Sequence, residues 1–393
     1  MTLEFFDQKE VFIFGFGAAG KWVASTGNFK VRGFIDNNLK KNGRSFQSYK
    51  VFSPAQVRDI IKPSDIILNT VLDIQDVIPV IETNFPDNQS FALGEFLDDE
   101  KVENNRTESS NEFIEYSLKA VEMCHKSHVN KDRRFLHSVD IVISEKCSLN
   151  CKDCSNLMQY YKSPQNLTYQ TVTGDFEKLM SRINHIYEVR LIGGEPFMNK
   201  EIYSIIDYFI EHQSITKLVV YTNATIPLKS ELMKKFVTPK LVFSITDYGS
   251  LSRNTKRVTD VLDDLNISYR SLPPNNWTDS GRMHDFQRSE ESMIDTFERC
   301  CGKNLYTMMY GKLYRCPFSA NAERLSGIPK DPMNSVKVNA NLDEIESFTN
   351  EIKYIPACNY CNGRAHDAPE ITPAIQSKVK LNYKIYSETD ETV

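Results

Sequence analysis

The sequence predicts an α/β protein: two successive runs of alternating strand and helix, followed by a loop-rich tail. Three observations carry that expectation. Strand-like apolar runs alternate with helical stretches over residues 1–98 and again over residues 137–290, the pattern of parallel sheets. Between them, "DDEKVENNRTESSNE" (residues 98–112) has almost no apolar content and reads as a linker. After residue 290 the rhythm stops, and five of the nine cysteines follow.

The first run starts with "VFIFGFG", a buried strand, and "AAGKWVAST", a helix that Gly27-Asn28 would stop. "KVRGFID" is the next strand. "SPAQVRDII" opens on the Ser-Pro start signal of a helix, "DIILNT" is a third strand and "FALGEFL" a last one. Residues 113–129 then read as helical, with Phe113, Tyr116, Leu118 and Val121 as packing positions and Cys124 as a core or surface thiol.

In the second run "VDIVIS" is the first strand, and residues 168–184 form a helix capped by Thr168. Strand and helix then alternate through "YEVRLIG", "KEIYSIIDYFIEH", "TKLVVYT", "LKSELMKKFV", "KLVFSIT", residues 253–265 and "ISYRSL". Repeated β/α units of this length predict a full or partial (β/α) barrel of TIM type. In the tail, "NLYTMMYGKLYRC" reads as a hairpin turning at Tyr310-Gly311-Lys312. The expected domains are residues 1–98, a linker and helix over 99–136, a barrel over 137–290 and a cysteine-bearing domain over 291–393.

Composition narrows the function classes. Of 393 residues, 40% are apolar, and the net charge is −5, giving no global attraction to nucleic acid or anionic membrane. No apolar run reaches membrane-spanning length, and the N-terminus lacks the charged start of a signal peptide. A cytoplasmic location is expected, where thiols stay reduced. Nine cysteines there read as metal ligands or reactive groups.

"EKCSLNCKDCSN" places Cys147, Cys151 and Cys154 in the spacing C-x3-C-x2-C, directly after the first barrel strand. Strand C-termini carry the chemistry in barrel enzymes. Three thiolates on one loop would hold three irons of a four-iron cluster and leave the fourth open. A zinc site completed elsewhere is the alternative on the triplet alone. "LIGGEPFM" ends the next strand with Gly193, Gly194, Glu195 and Pro196. The glycines allow close backbone approach to a ligand, and Glu195 offers an acceptor for an amino group.

The paired motifs resemble the radical S-adenosylmethionine (radical SAM) superfamily over residues 137–290. The resemblance implies a 4Fe–4S cluster on Cys147, Cys151 and Cys154 whose open iron chelates S-adenosylmethionine. It also implies contacts from Gly193, Gly194 and Glu195 to the methionine end, and from Thr222, Asn223 and Ser244 to the ribose and carboxylate. A low-potential donor such as flavodoxin or ferredoxin would supply the electron. Asp247, Tyr248, Trp277, Asp279 and His284 follow late barrel elements and stand near the expected pocket.

Cys301, Cys316, Cys358 and Cys361 form two pairs that by spacing alone suit structural zinc. Their order resembles the twitch domain of some radical SAM proteins, which implies an auxiliary 4Fe–4S cluster on these four. Cys300 is the alternative to Cys301; as a spare thiol it is a candidate hydrogen-atom donor or a packing residue. Sulfatase and peptide maturases with two auxiliary clusters need more downstream cysteines than this chain has.

"GFGAAG" gives Gly15, Gly17 and Gly20 between a strand and a helix, with Asp36 ending the next strand. This is the context of a dinucleotide fingerprint. The glycines permit phosphate approach at a helix N-terminus, and Asp36 would meet a ribose hydroxyl. The region resembles the Rossmann-like domain of nucleotide-sugar acetyltransferases and related polysaccharide-biosynthesis proteins, which implies a nucleotide-sugar site or a bare scaffold. The expected function is radical chemistry on a carbohydrate, a nucleotide-linked sugar. The alternatives are a peptide or protein modifier and a non-catalytic iron–sulfur or nucleotide sensor.

Overall fold

The computed structural model describes residues 3–6, 9–71, 74–92, 121–127, 134–238, 240–274, 277–365 and 367–386. The chain divides into two compact units, residues 1–132 and 133–393. The linker at 98–112 and the packing positions Phe113, Tyr116 and Leu118 lie outside the described residues. Residues 121–127 are helical, with Val121 and Cys124 buried.

The first unit is a six-stranded sheet in the order β3-β4-β2-β1-β5-β6. Its strands are β1 (Glu10–Phe14), β2 (Lys30–Ile35), β3 (Ser45–Phe46), β4 (Tyr49–Phe52), β5 (Ile66–Asn69) and β6 (Gln89–Ala92). All pairings are parallel except β3 with β4. Alternate residues of β1 serve opposite faces. Val11 and Ile13 join one apolar cluster, and Phe12 and Phe14 join the other. A strand buried on both sides reads as a continuous apolar run, as "VFIF" does. Helices α1 (Ala18–Ser25), α2 (Pro54–Arg58) and α3 (Ile74–Asn84) connect the strands. The Ser-Pro signal is explained by a capping box, in which Ser53 and Gln56 bond each other's backbone N–H.

The second unit is built on an eight-stranded sheet, β11-β10-β9-β8-β7-β13-β14-β15. The strands β7 (Phe135–Ser144), β8 (His185–Gly193), β9 (Ile215–Thr222), β10 (Leu241–Thr246) and β11 (Ser268–Leu272) run parallel. Helices α4 (Tyr169–Met180), α5 (Ile202–Glu211), α6 (Ser230–Met233) and α7 (Thr255–Asp264) connect them. Thr168 caps α4 by accepting the Thr171 N–H. The stretch "LKSELMKKFV" forms only the short α6 and a 3-10 turn.

Val139, Ile141 and Ile143 of β7 pack in the main apolar core with residues of the helices, and the intervening positions include the buried Ser138, Asp140 and Ser144. That polar set therefore lies on the face of β7 opposite the main core.

The hairpin belongs to this same sheet rather than to a separate domain after residue 290. Strand β13 (Thr307–Met309) pairs parallel with β7, and β14 (Lys312–Tyr314) and β15 (Ser335–Lys337) continue it antiparallel. Tyr310 and Gly311 both take positive φ at the turn, as a two-residue hairpin loop requires. A small antiparallel pair joins β12 (Trp277–Thr278) to β16 (Glu370–Ile371). Helices α8 (Glu290–Glu298) and α9 (Pro317–Arg324) frame the cysteines of the tail. Among the described residues, no helix is long and apolar enough to cross a membrane.

Candidate functional site

The loop after β7 turns its three thiols into one cavity of ≈ 740 Å³, lined by Cys147, Cys151 and Cys154. Pockets of roughly 300–1,000 Å³ suit small ligands. Burial pushes the Cys147 thiol up to about 12 and Cys151 up to about 11, and the neighbouring Cys154 adds to both. Cys154 is raised by burial too, against the backbone N–H groups of Met158, Asn156 and Leu157. Further donors point at the other sulfurs: the Leu149 N–H lies 3.4 Å from Cys147 Sγ, and the Gln376 side-chain amide 3.1 Å from Cys151 Sγ.

The Gly-Gly pair is required by the triplet itself. Gly193 has φ +154°, and a Cβ there would stand 2.1 Å from Ser144 O. A Cβ on Gly194 would stand 2.4 Å from Lys146 O and 2.6 Å from Cys147 Cβ. The Gly194 and Glu195 N–H groups bond Ser144 O and Lys146 O at 2.9 and 2.8 Å. The end of β8 therefore lies directly on the root of the cysteine loop, and Gly193 and Gly194 line the cavity.

Glu195 differs from expectation. Its carboxylate is fully buried and accepts from the Phe197 N–H, the Thr222 hydroxyl and the Asn223 N–H at 3.1, 2.9 and 2.8 Å. It staples the end of β8 to the end of β9 instead of pointing into the cavity. Burial lifts its carboxyl to about 7 despite these donors.

Thr222 and Asn223 do line the cavity. The Asn223 amide donates to Ser148 Oγ at 3.2 Å and approaches Cys147 Sγ at 3.8 Å. Ser244 is not part of the lining; it accepts from Arg270 Nε at 3.1 Å. Of the late-barrel set, Tyr248 and Trp277 line the cavity edge-to-face at 6.2 Å. Asp247, Asp279 and His284 are not among its lining residues. Arg364 and Glu370 are, and the sequence reading missed both. The one local signal was a basic residue three places after Cys361.

The tail cysteines are sorted differently from expectation. Cys300, Cys316, Cys358 and Cys361 surround a small gap of ≈ 30 Å³ together with Phe297 and Phe318. Burial, then the charge of Cys300 and Cys316, holds Cys361 well above the usual thiol range, and burial brings Cys358 to about 12. Cys316 Sγ sits at the N-terminus of α9 and accepts the Ser319 N–H at 3.5 Å. Arg288 Nη1 donates to the carbonyls of both Cys358 and Cys361, which fixes the C-x2-C turn.

Cys301 instead lines the large cavity shared with the triplet. The reason lies in the backbone: the Cys301 N–H bonds Arg364 O at 3.0 Å and Cys300 bridges Ala365. Adjacent residues on a strand-like stretch point to opposite sides. Cys300 thus faces the gap with Cys316, Cys358 and Cys361, the alternative the sequence leaves open, and Cys301 faces the larger cavity. Among the described residues, no three His, Cys, Asp or Glu side chains converge closely enough to hold a single metal ion.

In the first unit, Gly15 has φ +111°, and a Cβ on Gly20 would stand 2.0 Å from Gly15 O, so both glycines are required by the turn. A Cβ on Gly17 would meet nothing within 4 Å. Asp36 is already engaged: it accepts the Phe16 and Asn38 N–H groups at 2.9 Å and the Lys41 ammonium at 2.8 Å.

Residues 120–257, which include the triplet loop and β7 to β10, match the family described as "4Fe-4S single cluster domain". Over 155 residues the chain is 24% identical to the radical SAM cyclopropyl synthase TigE of Paramaledivibacter caminithermalis. That match covers 35% of this chain and 32% of TigE, so the chain spans about a third of the length of this curated relative. Among solved structures, BtrN in complex with AdoMet and 2-DOIA is 13% identical, with a TM-score of 0.38 over 56% of this chain and 83% of that one. The anSMEcpe protein with bound AdoMet and a Cp18Cys peptide is 13% identical, with a TM-score of 0.32 over 46% of this chain and 74% of that one. The family match thus lies on the strands and loop that gather the three thiols, and the chain is similar in sequence to a radical SAM enzyme.

Proposed function

We propose that this chain cleaves S-adenosylmethionine reductively and takes a hydrogen atom from a carbohydrate, with a nucleotide-linked sugar as its substrate. The observation that carries the first half is the single cavity onto which Cys147, Cys151, Cys154 and the bare Gly193-Gly194 backbone all open. The donor set fits a four-iron cluster. Three soft thiols face one space, and N–H groups are already directed at their sulfurs. A cluster held by these thiols would supply one electron for reductive cleavage of S-adenosylmethionine, drawn from a low-potential donor such as flavodoxin or ferredoxin.

The chain's own residues do the rest. The Gly193-Gly194 backbone and the Asn223 amide present polar groups on the wall nearest Cys147. Tyr248 and Trp277 form an aromatic wall that excludes water. Arg364 brings a cation to the cavity, suited to an anionic substrate group. Cys301 is the thiol available to return a hydrogen atom to the substrate carbon. Its S–H bond would break as the new C–H bond forms, and an electron and a proton from outside would restore it.

Cys300, Cys316, Cys358 and Cys361 would hold the auxiliary four-iron cluster. Four thiols with no other donor, around one gap and fixed by Arg288, support that assignment. The sugar-nucleotide half rests on the first unit, where the open space at Gly17 supports phosphate approach to the N-terminus of α1. It rests there without Asp36, whose carboxylate the loop itself uses.

The test is anaerobic turnover of the reduced, reconstituted protein with nucleotide sugars deuterated at ring carbons. Deuterium carried into 5′-deoxyadenosine supports the reading. Formation of unlabelled 5′-deoxyadenosine with every sugar tried removes the carbohydrate.

A further inference from the structure

Residues 374–386 cross the outside of the triplet loop. Residues 375–377 pair with 150–152: the Lys152 N–H bonds Ile375 O at 2.9 Å, the Ser377 N–H bonds Asn150 O at 2.7 Å, and Cys151 bridges Gln376. Ala374 packs with Leu149 and Cys151. Further along, the Leu381 N–H bonds Gln159 O at 2.9 Å and the Tyr383 hydroxyl bonds Leu325 O at 3.0 Å. The segment is held at both ends of its crossing.

Two side chains from it bond the triplet loop, one of them at a thiol. Gln376 Oε1 accepts the Asn150 N–H at 2.8 Å. That fixes the orientation of the amide, because an N–H donor cannot face an NH2 group. Its Nε2 must therefore face Cys151 Sγ, 3.1 Å away, while also donating to Ala374 O at 2.8 Å.

The second is Lys380. Its ammonium donates to Asn150 Oδ1 at 3.0 Å and Met158 O at 2.8 Å, both neutral acceptors. Asn150 is fixed in turn, since its Nδ2 donates to Ser377 O and Val379 O. Asn150 directly precedes Cys151, and Met158 follows Cys154 by four residues, so the ammonium is anchored on both flanks of the loop's last two cysteines. Between them, an N–H donor faces Cys151 Sγ and a cation is bonded to the loop that carries the three cysteines.

We propose that Gln376 and Lys380 set the reduction potential of the four-iron cluster on Cys147, Cys151 and Cys154 and raise it toward that of its electron donor. The proposal rests on the reading of the triplet as a cluster site. A cluster gains negative charge when it accepts an electron, so a nearby cation and an N–H···S bond stabilise the reduced form more than the oxidised one. Both are positioning residues: they act through the cluster and do not line the cavity.

The experiment is a redox titration of the reconstituted full chain, followed by electron paramagnetic resonance. The signal that changes when S-adenosylmethionine is added reports the triplet cluster. Parent protein is compared with Lys380→Met, Lys380→Arg and Gln376→Glu, the last of which keeps the acceptor for Asn150. Lys380→Met and Gln376→Glu are expected to lower the reduced-to-oxidised ratio at a fixed potential by about threefold or more, with iron content unchanged. Lys380→Arg is expected to stay near the parent. Potentials equal to the parent's in both Lys380→Met and Gln376→Glu overturn the proposal. So does equal loss of iron from both Lys380 variants, which would make the lysine a packing residue only. If no signal in the parent responds to S-adenosylmethionine, the reading of the triplet fails instead, a result distinct from either.

Discussion

Cys300 and Cys301 are neighbours in the chain but face different spaces: Cys300 lines the gap it shares with Cys316, Cys358 and Cys361, and Cys301 lines the cavity of the triplet. Cys300→Ala should therefore remove the auxiliary iron, and Cys301→Ala should not. Two four-iron clusters give about eight irons per chain in the parent. Iron analysis after reconstitution should show a fall to about half in Cys300→Ala only. Loss of iron from Cys301→Ala instead would return the ligand role to Cys301. One zinc per chain in place of the second cluster would make the tail site structural.

Glu195→Gln should loosen the junction of β8 and β9. An amide supplies one acceptor oxygen and turns an NH2 group toward a donor, so at least one of the bonds from Phe197, Thr222 and Asn223 is lost. A buried donor left unsatisfied costs about 1–3 kcal/mol, readable by urea denaturation. The carboxyl also has a pH signature. Its pKa is raised in the folded chain, from 4.5 to about 7, so its contribution to stability is complete below pH 4.5 and is lost as pH rises toward 7. The iron-free parent should show that decline between the two values, and Glu195→Gln should show it weakened.

Gly193→Ala and Gly194→Ala should each cost the triplet its cluster. The added methyl meets backbone, Ser144 O in one case and Lys146 O in the other, and backbone cannot swing aside. Iron retention and the S-adenosylmethionine-responsive signal should both fall. Full retention in either variant would mean that the β8 end can withdraw without disturbing the loop.

In the first unit the three glycines should separate. Gly20→Ala places a methyl against Gly15 O and should lower the melting temperature. Gly17→Val meets open space and should fold, yet block phosphate approach. Calorimetry on the full chain with nucleotide sugars should show binding to the parent and none to Gly17→Val. No heat from the parent with any nucleotide sugar would leave the unit as a scaffold. Asp36→Ala should act through stability, since the loop loses the acceptor for Phe16 and Lys41.

The parts of this molecule that were legible in the sequence are local. The strand of "VFIFG", the caps at Ser53 and Thr168 and the hairpin at Tyr310-Gly311 each depend on neighbours within a few residues. The triplet is legible for the same reason: its spacing on one loop already brings the thiols together.

What depends on distant contacts was not legible. Which of Cys300 and Cys301 turns inward is decided by a bridge to Arg364 and Ala365, more than sixty residues on. Glu195 has the composition of a ligand contact, but its donors Thr222 and Asn223 come from the next strand. Gln376 and Lys380 carry no motif at all, and bond the triplet loop only because residues 375–377 pair with 150–152. The hairpin was recognised as a hairpin, but its pairing with β7 involves residues far apart in the chain.

The most direct measurement is cleavage of S-adenosylmethionine by the reconstituted, dithionite-reduced chain, with Cys151→Ala as its partner. The parent should yield 5′-deoxyadenosine and methionine in equal amounts. Cys151→Ala should yield neither and should hold about four fewer irons, while remaining folded by circular dichroism. Undiminished cleavage by Cys151→Ala, or a parent that binds iron at the triplet and never cleaves, would contradict the account.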